Sequence, residues 1–412
     1  MPKGPHARCR KQHSGPIAIL FLLFLGSCTV VKQYPAGRPF VYRTNITVTG
    51  DFSITERSQL ESRLKGQLDD SMRVRSLSKV FWSVLKKPPV YDSMNAGRSV
   101  RFMRALLSAL GYFRDSIGYL VRTDTVSGDQ YRTTVDFRVN PGKRVRIDSF
   151  AYNIRQPELQ HLAVSTQQES ALQKGAPFAK AAISEELDRL VTLFRNNGYM
   201  RFGREDLIGL WDTLNIELLK PRLDPFEQLE LLQLLRERQT NPQANLEIRL
   251  RPGTDSSKVR KYYVGRVTIY PDITLDTNGR TRRETRIGDL RVISYRNMFR
   301  PRILPDNIYL QPGDLYDQRN YFRTLNRFNG LSAWRMANIE QLPRKDKDTA
   351  DFIIRLSPAK KYSFVANLEG SRNNNLVAGN LFGIGVNLGL QNRNFARTAS
   401  QASTNLRFGI ET

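Results

Sequence analysis

Histidine and cysteine are almost absent. The 412 residues include three His and two Cys, and His6, His13 and Cys9 fall in a leader-like first stretch, so only His161 and Cys28 remain beyond it. One thiol and one imidazole cannot make a disulfide, a Cys-ligated metal site, a multi-histidine metal centre or a paired-histidine mechanism. His161 lies in the polar segment PELQHLAVSTQQES and reads as an ordinary surface helix residue. G-x-S-x-G and H-E-x-x-H are also missing, which removes the usual support for a lipase or metalloprotease reading. Gly383-Ile384-Gly385 with Gly389 superficially matches a phosphate-cradling loop, but strand alternation runs through it where a helix should open. No cofactor, no metal and no enzymatic activity are therefore expected. Long apolar runs are scarce too: Ile17–Leu25 is the one strongly apolar tract, and it is too short to span a bilayer as a helix.

That tract follows Lys3, Arg8, Arg10 and Lys11 and ends in Leu25-Gly26-Ser27-Cys28. A basic region, a short apolar core and small residues before a cut site read as a secretory signal peptide over residues 1–27. Cys28 in the first position after the cut resembles a bacterial lipobox, in which the thiol carries a lipid anchor. The alternative is a plain signal peptide followed by an incidental Cys. Residues 28–43, with Pro35, Gly37 and Pro39, read as a tether. Formal net charge is +25, and losing the four leader cations would leave the chain strongly basic. Such an excess favours anionic partners, while export argues against nucleic acid.

Three copies of one pattern organise the rest: an amphipathic helix, a Gly, then an aromatic or apolar residue. They read RFMRALLSALGYF with Gly111, EELDRLVTLFRNNGYM with Gly198, and RNYFRTLNRFNGL with Gly330. Val100, Met103, Leu107 and Leu110 share the first helical face; Ile183, Leu187, Leu190 and Phe194 the second; Tyr321, Leu325 and Phe328 the third. Each Gly is a candidate helix cap with the next residue folded back on the helix, and Asp317 is an N-cap. Strands are expected at Thr44–Gly50, Ile117–Thr125, Tyr131–Val139, Val145–Ile154, Leu246–Leu250, Tyr262–Tyr270 and Ala350–Leu356. A helix is expected over Pro157–Leu172. Each unit then reads strand, helix, helix, strand, strand, an α+β domain with two helices on a three-stranded sheet. The units span 44–142, 143–254 and 260–359. An inserted helix is expected around PFEQLELLQLLRERQ in the second, and an arginine-rich insertion with a hairpin tip at Asn278-Gly279 in the third.

After Lys361 the period changes to two. Tyr362, Phe364, Ala366 and Leu368 alternate with polar residues, as do Ile384–Leu390 and Thr404–Ile410. Three such segments in 360–412 are the signature of transmembrane β-barrel strands; a soluble sheet with one face on a core is the alternative. Three strands cannot close a barrel, so the chain is expected to stop soon after the barrel begins.

GYFRDSI and VDFRVNPGKRVRIDSF, GAPF with NNGYM, and FRPRILPDNIYLQPGDLYDQRNYFRTLNRFNGLSAWR resemble the BamA/TamA superfamily of outer-membrane assembly factors, and most of all the TamA-like lipoproteins of Bacteroidota. The three units resemble POTRA domains. Ala179 departs from the pattern, standing where a capping Asp, Asn or Ser is expected. The resemblance implies a non-enzymatic factor in the bacterial outer membrane, with its units in the periplasm, that binds extended client chains by adding them to sheet edges. Its partners would be unfolded outer-membrane proteins, outer-membrane lipids and an inner-membrane or periplasmic accessory protein. The implied edges are Ser116–Thr125, Met200–Leu210 and Ser332–Leu342, with Ile117, Tyr119, Val121, Phe202, Leu207, Trp334, Met336 and Ile339 as candidates. The first barrel strand, with Tyr362, Phe364 and Leu368, would template strands entering the membrane. A two-partner-secretion-type transporter and a soluble periplasmic adaptor are the other readings.

Overall fold

The computed structural model describes residues 29–78, 83–212, 240–274, 281–375 and 379–411. The signal peptide, Cys28, the segment expected to hold the inserted helix and the Asn278-Gly279 tip lie outside them. The described residues divide between two compact units. One draws on Met1–Phe150, Leu172–Ile183 and Trp211–Leu246, the other on Ala151–Ala171, Ser184–Leu210 and Glu247–Thr412.

Near the start of the chain, β1 (Thr29–Lys32), β3 (Ser76–Ser78) and β4 (Ser83–Lys86) make a small sheet that the sequence pattern does not announce. The larger sheet has the order β2 (Phe40–Val48), β6 (Gln130–Asn140), β5 (Ser116–Ser127). β2 runs parallel to the central β6 and β5 antiparallel to it. Helix α1 (Ile54–Lys65) begins at a capping box, with Ser53 Oγ accepting the Glu56 N–H and Glu56 accepting the Ser53 N–H. Helix α2 (Ser93–Ala109) begins at Asp92, which accepts the Met94 N–H at 2.9 Å. Leu60, Leu64, Met103 and Leu107 bury their side chains against Val135, Phe137 and Val139 of β6. Removing each of these from water is worth roughly 1.5–3 kcal/mol. The helices therefore cover one face of the sheet because their apolar positions recur at helical spacing while those of β6 recur every second residue.

The second unit in sequence has β7 (Arg146–Asn153), α3 (Pro157–Ser165), α4 (Lys180–Asn196), β8 (Leu207–Asp212) and β9 (Gln243–Leu250), in the sheet order β7, β9, β8. Helix α3 is shorter than its apolar spacing suggests, giving way after Ser165 to a 3-10 turn at Gln167–Glu169. On α4 the buried positions are Glu186, Leu190 and Phe194, and Leu187 is only partly covered.

The third unit departs most from expectation. Its sheet has five strands, in the order β11 (Arg283–Ile287), β12 (Leu290–Ser294), β10 (Tyr263–Tyr270), β14 (Thr349–Pro358), β13 (Trp334–Pro343). The arginine-rich insertion supplies the extra hairpin, β12 pairing parallel with β10. Two 3-10 turns, Pro301–Ile303 and Pro305–Asn307, take the place of a first helix, since Pro305, one turn after Pro301, has no N–H to donate back to the Pro301 carbonyl. Helix α5 (Gln318–Asn329) is capped by Asp317, which accepts the Arg319 N–H at 2.8 Å. Thr324 is buried on it and accepts the Tyr309 N–H at 2.9 Å.

Finally β15 (Tyr362–Asn375), β16 (Gly379–Phe395) and β17 (Ser400–Glu411) form an antiparallel sheet in that order. It is open: the described residues contain no closed barrel. No described helix is long and apolar enough to cross a membrane.

Candidate functional site

The repeated Gly comes first because it sets where the edges begin. Gly111 follows the end of α2 with φ of +91°, and Gly198 follows α4 with φ of +100°. At both the next residue folds back on the helix: the Tyr112 N–H donates to Leu107 O at 2.9 Å and the Tyr199 N–H to Phe194 O at 3.1 Å. Gly330 is different. It caps α5 in the right-handed region, with φ of −77°, so its freedom is not required there.

The first two glycines share a second property. Val145 donates its N–H to Gly111 O at 2.9 Å and accepts the Phe178 N–H at 2.9 Å. Tyr262 donates to Gly198 O at 2.8 Å and accepts the Tyr316 N–H at 2.8 Å. A Cβ on Gly111 would lie 2.3 Å from Phe178 O, and one on Gly198 would lie 2.7 Å from Leu315 Cδ1. Arg144 and Lys261, each just before the donating residue, place their charges over the rings of Tyr112 and Tyr199. GYF and GYM are thus seats for the start of the following strand and for the GAPF and GDLY turns. Phe113, Phe178 and Trp211 close the first seat, with Phe113 and Trp211 stacked at 5.1 Å.

The strand after each capped helix lies at the border of its sheet. β5 borders the first, β8 the second and β13 the third. β5 pairs with β6 along its whole length, and its other side has no strand beside it among the described residues. It is long, lacks proline, and exposes Tyr119, Leu120, Val121 and Val126, with Leu120 at 54 %. Natural proteins ordinarily blunt such an edge with proline, bulges or inward charges. Ile117 is partly covered and packs on the core, and Tyr119 packs on Phe137 at 5.6 Å. Arg122 and Asn45 both hold Asp136 on the neighbouring strand. The Asn45 amide, then the Arg122 guanidinium, keep the Asp136 carboxyl below its ordinary range against the opposing effect of burial.

The other two edges need correction in detail. The second edge strand is Leu207–Asp212, not Met200–Leu210, and Phe202 lies before it, fully buried against Phe194 at 5.0 Å. Leu207 opens the strand but is also buried. In the third edge Met336 is 55 % exposed, whereas Trp334 is 3 % exposed and Ile339 is buried. Trp334 stacks on Phe299 at 4.6 Å and donates its indole N–H to Pro271 O at 2.8 Å. Only backbone groups of Trp334 and Ile339 can serve an edge.

A buried polar cluster escaped sequence reasoning. Glu186, 1 % exposed, accepts from Tyr152 Oη at 2.6 Å and from Arg189 Nη2 at 2.7 Å and Nε at 3.0 Å. Arg189 also donates to Thr166 Oγ1 at 2.9 Å. Burial, then the hydrogen bond to Glu186, push the Tyr152 phenol well above its usual range. All donors and acceptors here are matched, which is the arrangement of a structural tie and not of a nucleophile awaiting substrate. A Glu followed three residues later by an Arg was the available signal.

The last sheet is two-faced. Phe364, Leu390 and Thr404 form one cross-strand row, Leu368, Val386 and Phe408 another, and Gly370, Ile384 and Ile410 a third. Leu368 is 79 % and Ile410 75 % exposed. Tyr362 sits at the lower rim of this face. The opposite face carries Asn367, Asn387 and Arg407, several glycines, and the ion pair of Arg407 with Glu369 at 2.8 Å. From Phe364 to the Arg372–Phe382 row the apolar face climbs about 25 Å along the strands, which at a barrel's strand tilt is about 20 Å of height, most of a lipid-facing band of about 25 Å.

No metal-binding group of acidic, His or Cys residues occurs among the described residues. No family model matches the chain, and no curated protein matches it. Among solved structures the chain is similar to POTRA domains 3–5 of BamA from Haemophilus influenzae, at 14 % identity and a TM-score of 0.34, covering 79 % of this chain and 100 % of that one. It is similar to BamA from Haemophilus ducreyi lacking POTRA domains 1–3, at 11 % identity and a TM-score of 0.32, over 65 % of this chain and 43 % of that one. POTRA domains 1–3 of the periplasmic domain of Omp85 from Anabaena give 12 % identity and a TM-score of 0.24, over 79 % of this chain and 98 % of that one. These likenesses are distant, and the functional reading below stands on the chain's own edges and faces.

Proposed function

We propose that the chain is a non-enzymatic outer-membrane assembly or translocation factor, of the kind in which POTRA units present sheet edges to unfolded barrel proteins and pass them to a membrane barrel. The observation that carries the reading is β5: a long, proline-free edge strand, apolar at Tyr119–Val121 and irregular only between Thr125 and Ser127, with one side paired and one side open. An extended client can complete that side through main-chain hydrogen bonds whatever its sequence, with Tyr119 and Val121 or Leu120 as apolar contacts. β8 and β13 offer shorter or more buried versions of the same edge. In this reading β15 is the first strand of a lipid-facing barrel, with Tyr362, Phe364 and Leu368 toward lipid, and Cys28 is the lipidated residue of a periplasmic lipoprotein. Unfolded outer-membrane proteins are the clients, and the finer kinship is with TamA-like lipoproteins of Bacteroidota. The two-faced sheet favours this over the soluble adaptor, because a soluble sheet would cover its apolar rows.

The test uses adjacent residues of β5. Along an antiparallel strand the N–H and C=O of successive residues point alternately to the neighbour and to the open side. Leu120→Pro and Val121→Pro therefore separate the two: one breaks the ladder with β6 and destabilises the unit, the other blocks only the open side. The second should leave the melting temperature near wild type and lower client binding about ten-fold or more. Unchanged binding in the well-folded variant would count against the reading.

A further inference from the structure

We propose that the end of the last sheet nearest the third unit carries a basic collar that binds anionic phospholipid headgroups. The proposal rests on the reading of β15–β17 as membrane strands. Three separate segments meet there. Lys360 and Lys361 precede β15, Arg393 lies near the end of β16 and Arg397 in the β16–β17 turn, and Arg300 and Arg302 follow β12. Two backbone hydrogen bonds bring them together: Arg393 N–H to Lys361 O at 2.8 Å, and Arg300 N–H to Arg397 O at 2.9 Å.

The turn is held for this. Ala396, Arg397 and Ala399 all have positive φ, at 51°, 63° and 57°, a conformation that non-glycine residues keep only when their surroundings impose it. Asn394 imposes it. Its side chain is buried, donates to Met298 O at 3.0 Å and accepts the Ala399 N–H at 3.1 Å. Arg397 donates to Asn297 O and to its Oδ1.

Charge and position then point to one ligand. Residues 297–302, 359–362 and 393–400 contain no Asp or Glu, and Arg300, Arg302, Lys360 and Arg393 have no ion-pair partner among the described residues. Of the six cations all but Arg393 are exposed, and Arg393 is partly so. The collar begins where the apolar face ends, at Tyr362, whose ring lies 5.1 Å from Lys361 Nζ. An aromatic rim followed by lysines and arginines matches the order of chemistry from acyl chain to headgroup phosphate. Because β15 leaves directly from the third unit, this is the leaflet on the side of the α+β units.

The full chain would be reconstituted with vesicles of phosphatidylcholine, phosphatidylcholine with phosphatidylglycerol, or phosphatidylcholine with lipopolysaccharide. Flotation measures binding. Arg300→Gln, Lys360→Gln and Arg393→Gln together are compared with Arg283→Gln, Arg286→Gln and Arg335→Gln, which remove the same charge elsewhere. The collar variant should lose the preference for phosphatidylglycerol by about ten-fold or more, since each such charge is worth roughly five-fold near an anionic surface. The comparison variant should stay within about two-fold of wild type. Equal losses in both variants, or a wild-type preference for lipopolysaccharide over phosphatidylglycerol, would overturn the collar while leaving the membrane reading intact. The absence of flotation with any vesicle would overturn the membrane reading itself. Far-ultraviolet circular dichroism of both variants separates lost binding from lost folding.

Discussion

The carbonyl oxygen of Gly111 accepts the N–H of Val145 at 2.9 Å, and the space a Cβ would need on Gly111 is taken by the backbone of Phe178. Gly111 therefore answers two demands at once, a left-handed helix end and a close approach by the chain that follows. Gly175, in a turn and not at a helix end, has the left-handed φ of +81° but no close approach, since a Cβ there would meet nothing within 4 Å.

The two glycines make a matched comparison. Gly175→Ala should cost about 1 kcal/mol from backbone strain alone. Gly111→Ala should cost about 3 kcal/mol or more, because a backbone carbonyl cannot move aside as a side chain can. Chemical denaturation of both variants reads the difference directly.

Glu186 supplies a second test. Glu186→Ala takes the acceptor from the buried Tyr152 phenol and one partner from the partly buried Arg189, which keeps Thr166 and Glu169, and should destabilise the fold by about 1–3 kcal/mol. Exposed Glu185 is the control, and Glu185→Ala should change stability by less than about 0.5 kcal/mol. Similar losses at both positions would mean that the cluster is not a tie.

Asp351 gives a pH signature. Burial raises its carboxyl pKa, but the hydrogen bonds from Arg344 and from the Arg266 N–H, together with both charges, bring it below the usual range. A carboxylate with a depressed folded-state pKa contributes stability that is present above its unfolded value, near 4, and is lost as pH falls through the folded one. Acid unfolding of the wild type should therefore steepen below about pH 4, and Asp351→Asn should flatten that limb.

Much of the architecture is legible in the sequence because its signals are local. A helical apolar stripe ending in Gly-Tyr announces both a helix end and a fold-back, so RALLSALGY and LVTLFRNNGY place α2 and α4. Period-two alternation likewise marks β5, β6 and the last three strands. The edge candidates follow from the strand order that the resemblance implies, and that order does not say which side chains face inward: Trp334 and Ile339 lie in the core and Phe202 lies buried before its strand. Glu186 is hidden because a charged helix residue is ordinarily solvated. The five-stranded third sheet is hidden because RETRI has no apolar face, although Gly288-Asp289 just after it is the two-residue turn of the β11–β12 hairpin. The Asn394–Ala399 turn cannot be read at all, since nothing local favours left-handed alanines.

The membrane face has its own prediction. Leu368→Lys, on an apolar row, should weaken vesicle binding by about 1.5–3 kcal/mol. Asn387→Lys, on the polar face, should leave it nearly unchanged. Equal effects from the two would indicate that the faces are not distinguished by lipid.

Addition of an extended chain to β5 is the event on which the proposed function turns, and residue-resolved amide exchange over Ser116–Ser127 tests it most directly. Without client, alternate amides of β5 should exchange quickly, because they face the open side, while the others are protected by β6. A saturating extended segment of an unfolded barrel protein should slow only that fast set. Unchanged exchange along β5, with protection appearing on the helices instead, would contradict strand addition.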